Sequence, residues 1–304
     1  MIAIAAIATV HARADEPIKK AQAYLAIEVP QWPRENRCFS CHNNGDAARA
    51  LYRTNGPHSQ HLETTTRWLE DPAKWDSKRD DGPSSDKKLA RIQFSLALVS
   101  AIEGGASKHR GALKIAADLV VSDLNRDGSA PLIDGGTIGS PATYGPRFGT
   151  ALVVKILRSA DAIKYANLIK KAESYVRSKP IENLLDAVSV LMVEADPPQV
   201  LSPKAVVALQ YLREAQTKSG GWGPYRAVPT EPFDTAVALL VLQRFREDLR
   251  VVAAIRSGRN ALIAMQLEDG SFPPTTRPPG GESYAQKLST TGWATLALIE
   301  TEQR

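Results

Sequence analysis

Leu212-Arg213-Glu214-Ala215-Gln216 leads through three residues to Gly220-Gly221-Trp222, and the same order returns as Leu262-Ile263-Ala264-Met265-Gln266 followed by Asp269-Gly270-Ser271-Phe272. Each copy reads as a helix that ends at a glutamine, turns through glycine and sets an aromatic ring after the turn. The glycine tolerates the positive φ of a helix C-cap, and the glutamine amide can satisfy backbone groups left free at neighbouring helix ends. Upstream, Asp127-Gly128-Ser129 keeps only the turn.

Outward from these copies, the chain from Pro17 onward alternates amphipathic helical segments with Gly- and Pro-rich connections, and no segment alternates as a strand does. Six segments share a small-residue-plus-aliphatic core: Ala50-Leu51, Ala97-Leu98, Ala151-Leu152, Ser189-Val190, Ala238-Leu239 and Ala294-Thr295. They recur at intervals of 47, 54, 38, 49 and 56 residues. Each follows another helical segment, starting near Ile18, Leu62, Arg110, Lys164, Pro203 and Arg256. This predicts an all-α chain of six outer and six inner helices. The inner set is rich in Ala, Val and Leu, as helices packed on both sides must be. A length of 304 residues at 43% hydrophobic suffices for a substantial core, and a net charge of +5 without an aromatic-interleaved basic cluster gives no nucleic-acid signature.

The Leu-x-x-x-Gln…Gly-x-Trp/Phe pattern resembles the QW repeat of squalene-hopene cyclases and the related prenyltransferase repeat. Ser289-Thr290-Thr291-Gly292-Trp293-Ala294-Thr295-Leu296 is similar to the last inner helix of those cyclases. The resemblance is clear over roughly residues 204 to 300. It implies an α/α toroid, an α6/α6 barrel of six helix pairs. It also implies a place for catalysis: the cyclases protonate an alkene with an Asp-x-Asp-Asp-Thr-Ala motif at the head of an inner helix. The matching stretch here is Glu231-Pro232-Phe233-Asp234-Thr235-Ala236, with Phe233 where the proton-donating aspartate belongs. Phenylalanine has no proton to give, and the chain is about half the length of the two-domain cyclases. Glu231 and Asp234 are the catalytic candidates of an enzyme reading, and Asp234 also reads as a helix N-cap. Protein prenyltransferase β-subunits bind zinc through residues of later repeats, whereas both cysteines here lie in the first.

Those cysteines form Cys38-Phe39-Ser40-Cys41-His42, the attachment pattern of c-type haem. The thiolates would tether haem c covalently and His42 would ligate the iron; a redox disulfide or part of a zinc site are the alternatives. Met265 is the candidate distal ligand. The motif is expected in the first outer-to-inner connection, placing the haem at the mouth of the central cavity. Arg147, Arg226 and Arg277 lie in connections at that same end, where they could contact anionic groups. Residues 1–14, with an apolar run from Ile2 to Val10 before Ala12-Arg13-Ala14, read as a signal peptide, and residues 15–304 as one toroid domain. The run is about half a bilayer span, so no stable transmembrane anchor is expected.

The leading expectation is therefore an exported, periplasmic c-type haem protein on a cyclase-like toroid. It would pass electrons to a redox partner protein or act on a small molecule in the cavity. The alternatives are a non-redox enzyme, terpenoid cyclase-like or polysaccharide lyase-like, and a toroid that serves as a binding scaffold.

Overall fold

The computed structural model describes residues 16–54, 59–76, 86–133, 138–194, 201–275, 277 and 282–302. The expected signal peptide lies outside them. Outer helices are α1 (Glu16–Asn36), α3 (Ser59–Leu69), α5 (Arg110–Asp123), α7 (Ala166–Ser178), α9 (Pro203–Ala215) and α11 (Leu249–Ala264). Inner helices are α2, a π-helical segment Cys41–Ala47 that continues as Ala48–Tyr52, then α4 (Lys87–Glu103), α6 (Pro146–Asp161), α8 (Leu184–Met192), α10 (Pro232–Leu242) and α12 (Tyr284–Glu300). The two sets bury differently, as the sequence requires. In α7 only Ile169, Ala172 and Val176 are buried, a single stripe at helical spacing. In α10 every residue but Leu240 is buried.

Each inner helix packs against the next, α2 on α4, α4 on α6, α6 on α8, α8 on α10 and α10 on α12, and α12 returns to α2. The fold is an all-helical α/α toroid. Among the described residues no helix is long and apolar enough to cross a membrane.

The glutamine–glycine connections close the ring. Gln216 Nε2 donates to Gly220 O at 2.7 Å and to Ala254 O of α11 at 2.9 Å. Gln266 Nε2 donates to Gly270 O at 3.0 Å and to Pro17 O of α1 at 2.9 Å, joining the last pair to the first. Gly220 has φ +93°, and a Cβ there would stand 2.7 Å from Ser257 O, so conformation and close approach both require glycine. The threonines that follow complete the pattern: Thr235 and Thr291 take the backbone N–H of Trp222 and Phe272, each at 3.0 Å.

Candidate functional site

A cavity of about 550 Å³ runs down the ring axis. Its floor is formed by Arg49, Phe148, Leu152, Val188, Val237 and Trp293, each well inside an inner helix. Its rim is formed by residues near the inner-helix C-termini, including the exposed Arg53 and Glu103. The cavity therefore opens at the C-terminal end of the inner helices, which corrects the expected mouth at their N-termini. At the N-terminal end the ring is shut by buried side chains.

That closed end is an aromatic box over a carboxylate. Phe148, Phe233 and Trp293 meet pairwise with centroids 5.7 to 6.1 Å apart, and Tyr144 stands edge-on to Phe148 at 5.4 Å and to Trp293 at 6.0 Å. Tyr144 Oη donates to Asp46 Oδ1, and Gln93 Nε2 donates to Asp46 Oδ2 at 2.7 Å. Arg49 Nη1 lies 3.9 Å from Asp46 Oδ1, while its guanidinium covers the Trp293 ring at 4.2 Å. Arg49 thus connects the cavity floor to the carboxylate beneath it. Burial pushes the Asp46 carboxyl above the ordinary carboxylate range, against the pull of Arg49, Tyr144, His42 and Gln93. Arg49 Nε and Gln93 Oε1 are buried without a hydrogen-bond partner among the described residues.

The local sequence explains how Asp46 is held. Ser40 caps the π segment, its hydroxyl accepting from the N–H of His42 and Asn43. Asn43 Nδ2 donates to Glu28 O at 3.2 Å and Asn44 Nδ2 to Val29 O at 3.1 Å, tying the segment to α1. Gly45 and Gly292 let α4 and α12 approach it: a Cβ on Gly292 would stand 2.7 Å from Ala47 Cα. π-Helical turns are rare and concentrate at functional sites. Asp46 was not among the expected site residues. The signal available was a polar run, His42 to Asp46, where the repeat places a buried inner helix.

The expected catalytic pair lies elsewhere. Phe233 points into the aromatic box, while Asp234 is fully buried against Arg277, whose Nη2 donates to it and, at 3.1 Å, to Glu231 Oε2. Burial, with Glu231 alongside, pushes the Asp234 carboxyl up to about 7 despite Arg277. Asp234 is the third residue of α10 and Glu231 stands at the N-cap, so the N-cap reading of Asp234 is corrected: its carboxylate serves an ion pair. Arg277 is the one expected arginine that joins such a cluster. Arg147 instead donates to the carbonyls of Val176, Lys179 and Pro180 at the end of α7, and Arg226 pairs with Glu214 at the surface.

The haem motif also sits differently from expectation. Only residues 38–40 occupy the connection; Cys41 and His42 begin the π segment. Covalent haem needs both sulfurs along one edge of a macrocycle and the imidazole over its iron. Cys41 is buried in the hydrophobic cluster that includes Leu25, Val29 and Leu288, and Phe39 stacks on Trp68 at 4.5 Å. His42 Nδ1 lies 3.0 Å from Ser289 Oγ of α12. None of residues 38–42 lines the central cavity. Met265 caps α11 and packs on the other hydrophobic cluster, away from the one holding Cys41. The residues as arranged do not fit haem c, with Met265 in a packing role. Neither cysteine is in a disulfide, and no group of three or more His, Cys, Asp or Glu placed to hold a metal occurs among the described residues.

This architecture has solved counterparts. The fold is similar to that of a type II terpene cyclase. The apo structure of MstE from Scytonema matches with a TM-score of 0.60 at 15% identity, over 94% of this chain and 97% of that one. An aspartate-to-alanine variant of MstE in complex with its product, merosterolic acid A, matches with a TM-score of 0.64 at 14% identity, over 95% and 96%. An arginine-to-alanine variant in complex with its substrate, geranylgeranyl dihydroxybenzoate, matches at 0.58 and 15%, over 95% and 97%. No family model and no curated protein matches the chain. These matches cover nearly the whole of both chains, so the half-length relation holds to two-domain cyclases and not to MstE.

Proposed function

We propose that the protein is a non-redox enzyme that protonates and cyclises an isoprenoid substrate in its central cavity, with Asp46 as the proton donor. The observation that carries this reading is a buried carboxyl below the floor of an axial cavity, at its closed end, which the cavity lining reaches through Arg49. Burial favours the protonated acid in the resting state. Tyr144 and Gln93 donate to its oxygens and Arg49 stands beside it, so the charge left after proton transfer meets preorganised donors. The proton passes from the carboxyl to a terminal alkene carbon, and the alkene's π electrons form the new C–H bond. The next double bond attacks the resulting carbocation to close a ring. Loss of a proton from carbon to solvent water ends the sequence and a proton from solvent restores the Asp46 acid, so substrate and product are isomers and no electron acceptor is needed.

Phe148 and Trp293 line the floor, Phe233 stands edge-on to both, and a desolvated cation over such a ring gains about 2 kcal/mol. This gives Phe233 a role consistent with its place in the motif: it contributes to the cation's surroundings while the acid comes from α2. Apart from Arg49 the floor is apolar, which favours a lipid-like substrate over the saccharide of a lyase, and the matches to MstE, a terpene cyclase in its own right, point the same way.

The test is incubation with geranylgeraniol, squalene and geranylgeranyl dihydroxybenzoate, with products read by mass spectrometry. Wild type is expected to convert at least one to a cyclic isomer, Asp46→Asn to lose about 10³-fold or more in rate, and Asp234→Asn to stay within about tenfold. Undiminished turnover by Asp46→Asn would overturn the assignment. Binding without conversion of any substrate would favour the scaffold alternative.

A further inference from the structure

The rim of the cavity differs chemically from its floor. Five cationic side chains line the cavity against two carboxylates, Glu103 and Glu300. Most of the positive charge is already engaged. Arg53 holds both Glu300 and Glu103. Arg158 pairs with Glu173 at 2.6 Å and donates to Val193 O, and Arg244 donates to the carbonyls of Leu191 and Glu194, so these two finish the C-terminal end of α8. Arg49 serves Asp46 and Trp293. Lys155 is different. It lines the cavity from α6, seven residues past Phe148, and has no hydrogen bond or ion pair among the described residues. Seven residues along a helix place it about 10 Å above the aromatic floor.

We propose that the cavity is built for an amphipathic isoprenoid with an anionic head group, and that Lys155 receives that head group at the open end while the hydrocarbon tail reaches the aromatic floor. This rests on the isoprenoid reading above and names its substrate class. A half-buried ammonium with no carboxylate in ion-pair contact carries a desolvation cost that Glu103 and Glu300 elsewhere in the lining only partly offset, and an anion at that point offsets the rest. In keeping with this, burial holds the Lys155 ammonium below the ordinary lysine range, with Glu103 the largest opposing influence. Head and tail are therefore placed at opposite ends: anion at the rim, reacting alkene over Asp46. A carboxylate and a diphosphate share the required chemistry.

Saturated ligands separate this inference from catalysis, because they have no alkene to protonate. Phytanic acid, phytanyl diphosphate and the neutral phytanol are titrated against wild type, Lys155→Met and Lys155→Arg by calorimetry. The expected result is that one or both anions bind wild type about tenfold or more tightly than phytanol. Lys155→Met should erase that preference while leaving phytanol affinity within about threefold, and Lys155→Arg should restore it. The tighter of the two anions identifies the head group. Equal binding of anions and alcohol by wild type, or a preference that survives in Lys155→Met, overturns the head-group assignment alone. Failure of all three ligands to bind wild type overturns it together with the isoprenoid reading.

Discussion

Asp46, midway along α2, and Asp234, in the first turn of α10, are both buried, and they are held by different partners. Asp234 meets a guanidinium and a second carboxylate, Arg277 and Glu231, in an ion-paired cluster that joins α10 to the loop before α12. Asp46 meets a phenol and a carboxamide, with Arg49 standing off at 3.9 Å. Asp234 is tied to a guanidinium that also holds a loop in place. Asp46 takes its direct hydrogen bonds from neutral donors, with Arg49 the nearby charge that favours release of its proton. The difference teaches that the residue retained in a recognisable motif can be held in an ion pair, while the proposed proton donor lies on a helix the motif does not mark.

The strongest way to break the comparison is to exchange amides for the two acids. Asp46→Asn should cost about 10³-fold or more in turnover with little change in stability, because Gln93 can turn its unpartnered Oε1 toward the new amide. Asp234→Asn should leave turnover within about tenfold. If the two effects are reversed, the roles are reversed.

The next largest effect is on folding. Arg277→Met leaves Glu231 and the buried Asp234 around a missing cation and should destabilise the protein by about 3–5 kcal/mol in denaturant titration, less whatever protonation of Asp234 relieves. Tyr144→Phe sharpens the other side: loss of one hydrogen bond to a developing carboxylate should lower turnover by about 10- to 100-fold and, by leaving a buried acceptor short of a donor, cost about 1–3 kcal/mol in denaturant titration.

The smallest effect is a pH dependence of stability. The Asp234 carboxyl is pushed up to about 7 in the fold, above its unfolded value, so the folded protein binds more protons between about pH 4 and pH 7. Its contribution is fully present below the unfolded pKa and is lost as pH rises through about 7. Asp234→Asn should flatten that part of the profile. Asp46 is raised by burial as well, so turnover should fall as pH rises through its elevated pKa, the acid being the active form.

The repeat architecture was legible because its signals are local. The helix periods, the glycine turns and the glutamines at 216 and 266 each determine structure within a few residues, and Gln216 and Gln266 make the inter-helix bonds their position implied. The replacement of the motif acid by Phe233 was legible too. Asp46 was not, because its partners come from far along the chain, Gln93 on α4 and Tyr144 just before α6. The Cys38–His42 spacing is local as well, and it cannot show that Cys41 packs into a hydrophobic cluster or that His42 Nδ1 lies 3.0 Å from Ser289 Oγ on the last helix. For the same reason, the end at which the cavity opens could not be read, since it depends on which side chains meet across the ring. Protein produced with a c-haem maturation system should accordingly show no Soret band, and Cys38→Ala/Cys41→Ala should retain turnover.

The most direct measurement of proton-initiated cyclisation at the closed end is turnover in deuterium oxide. Wild type is predicted to give a cyclic product carrying one deuterium on the carbon of the former terminal alkene, with Asp46→Asn giving none above background. A cyclic product without deuterium at that carbon, or equal incorporation by the Asp46→Asn variant, would contradict it.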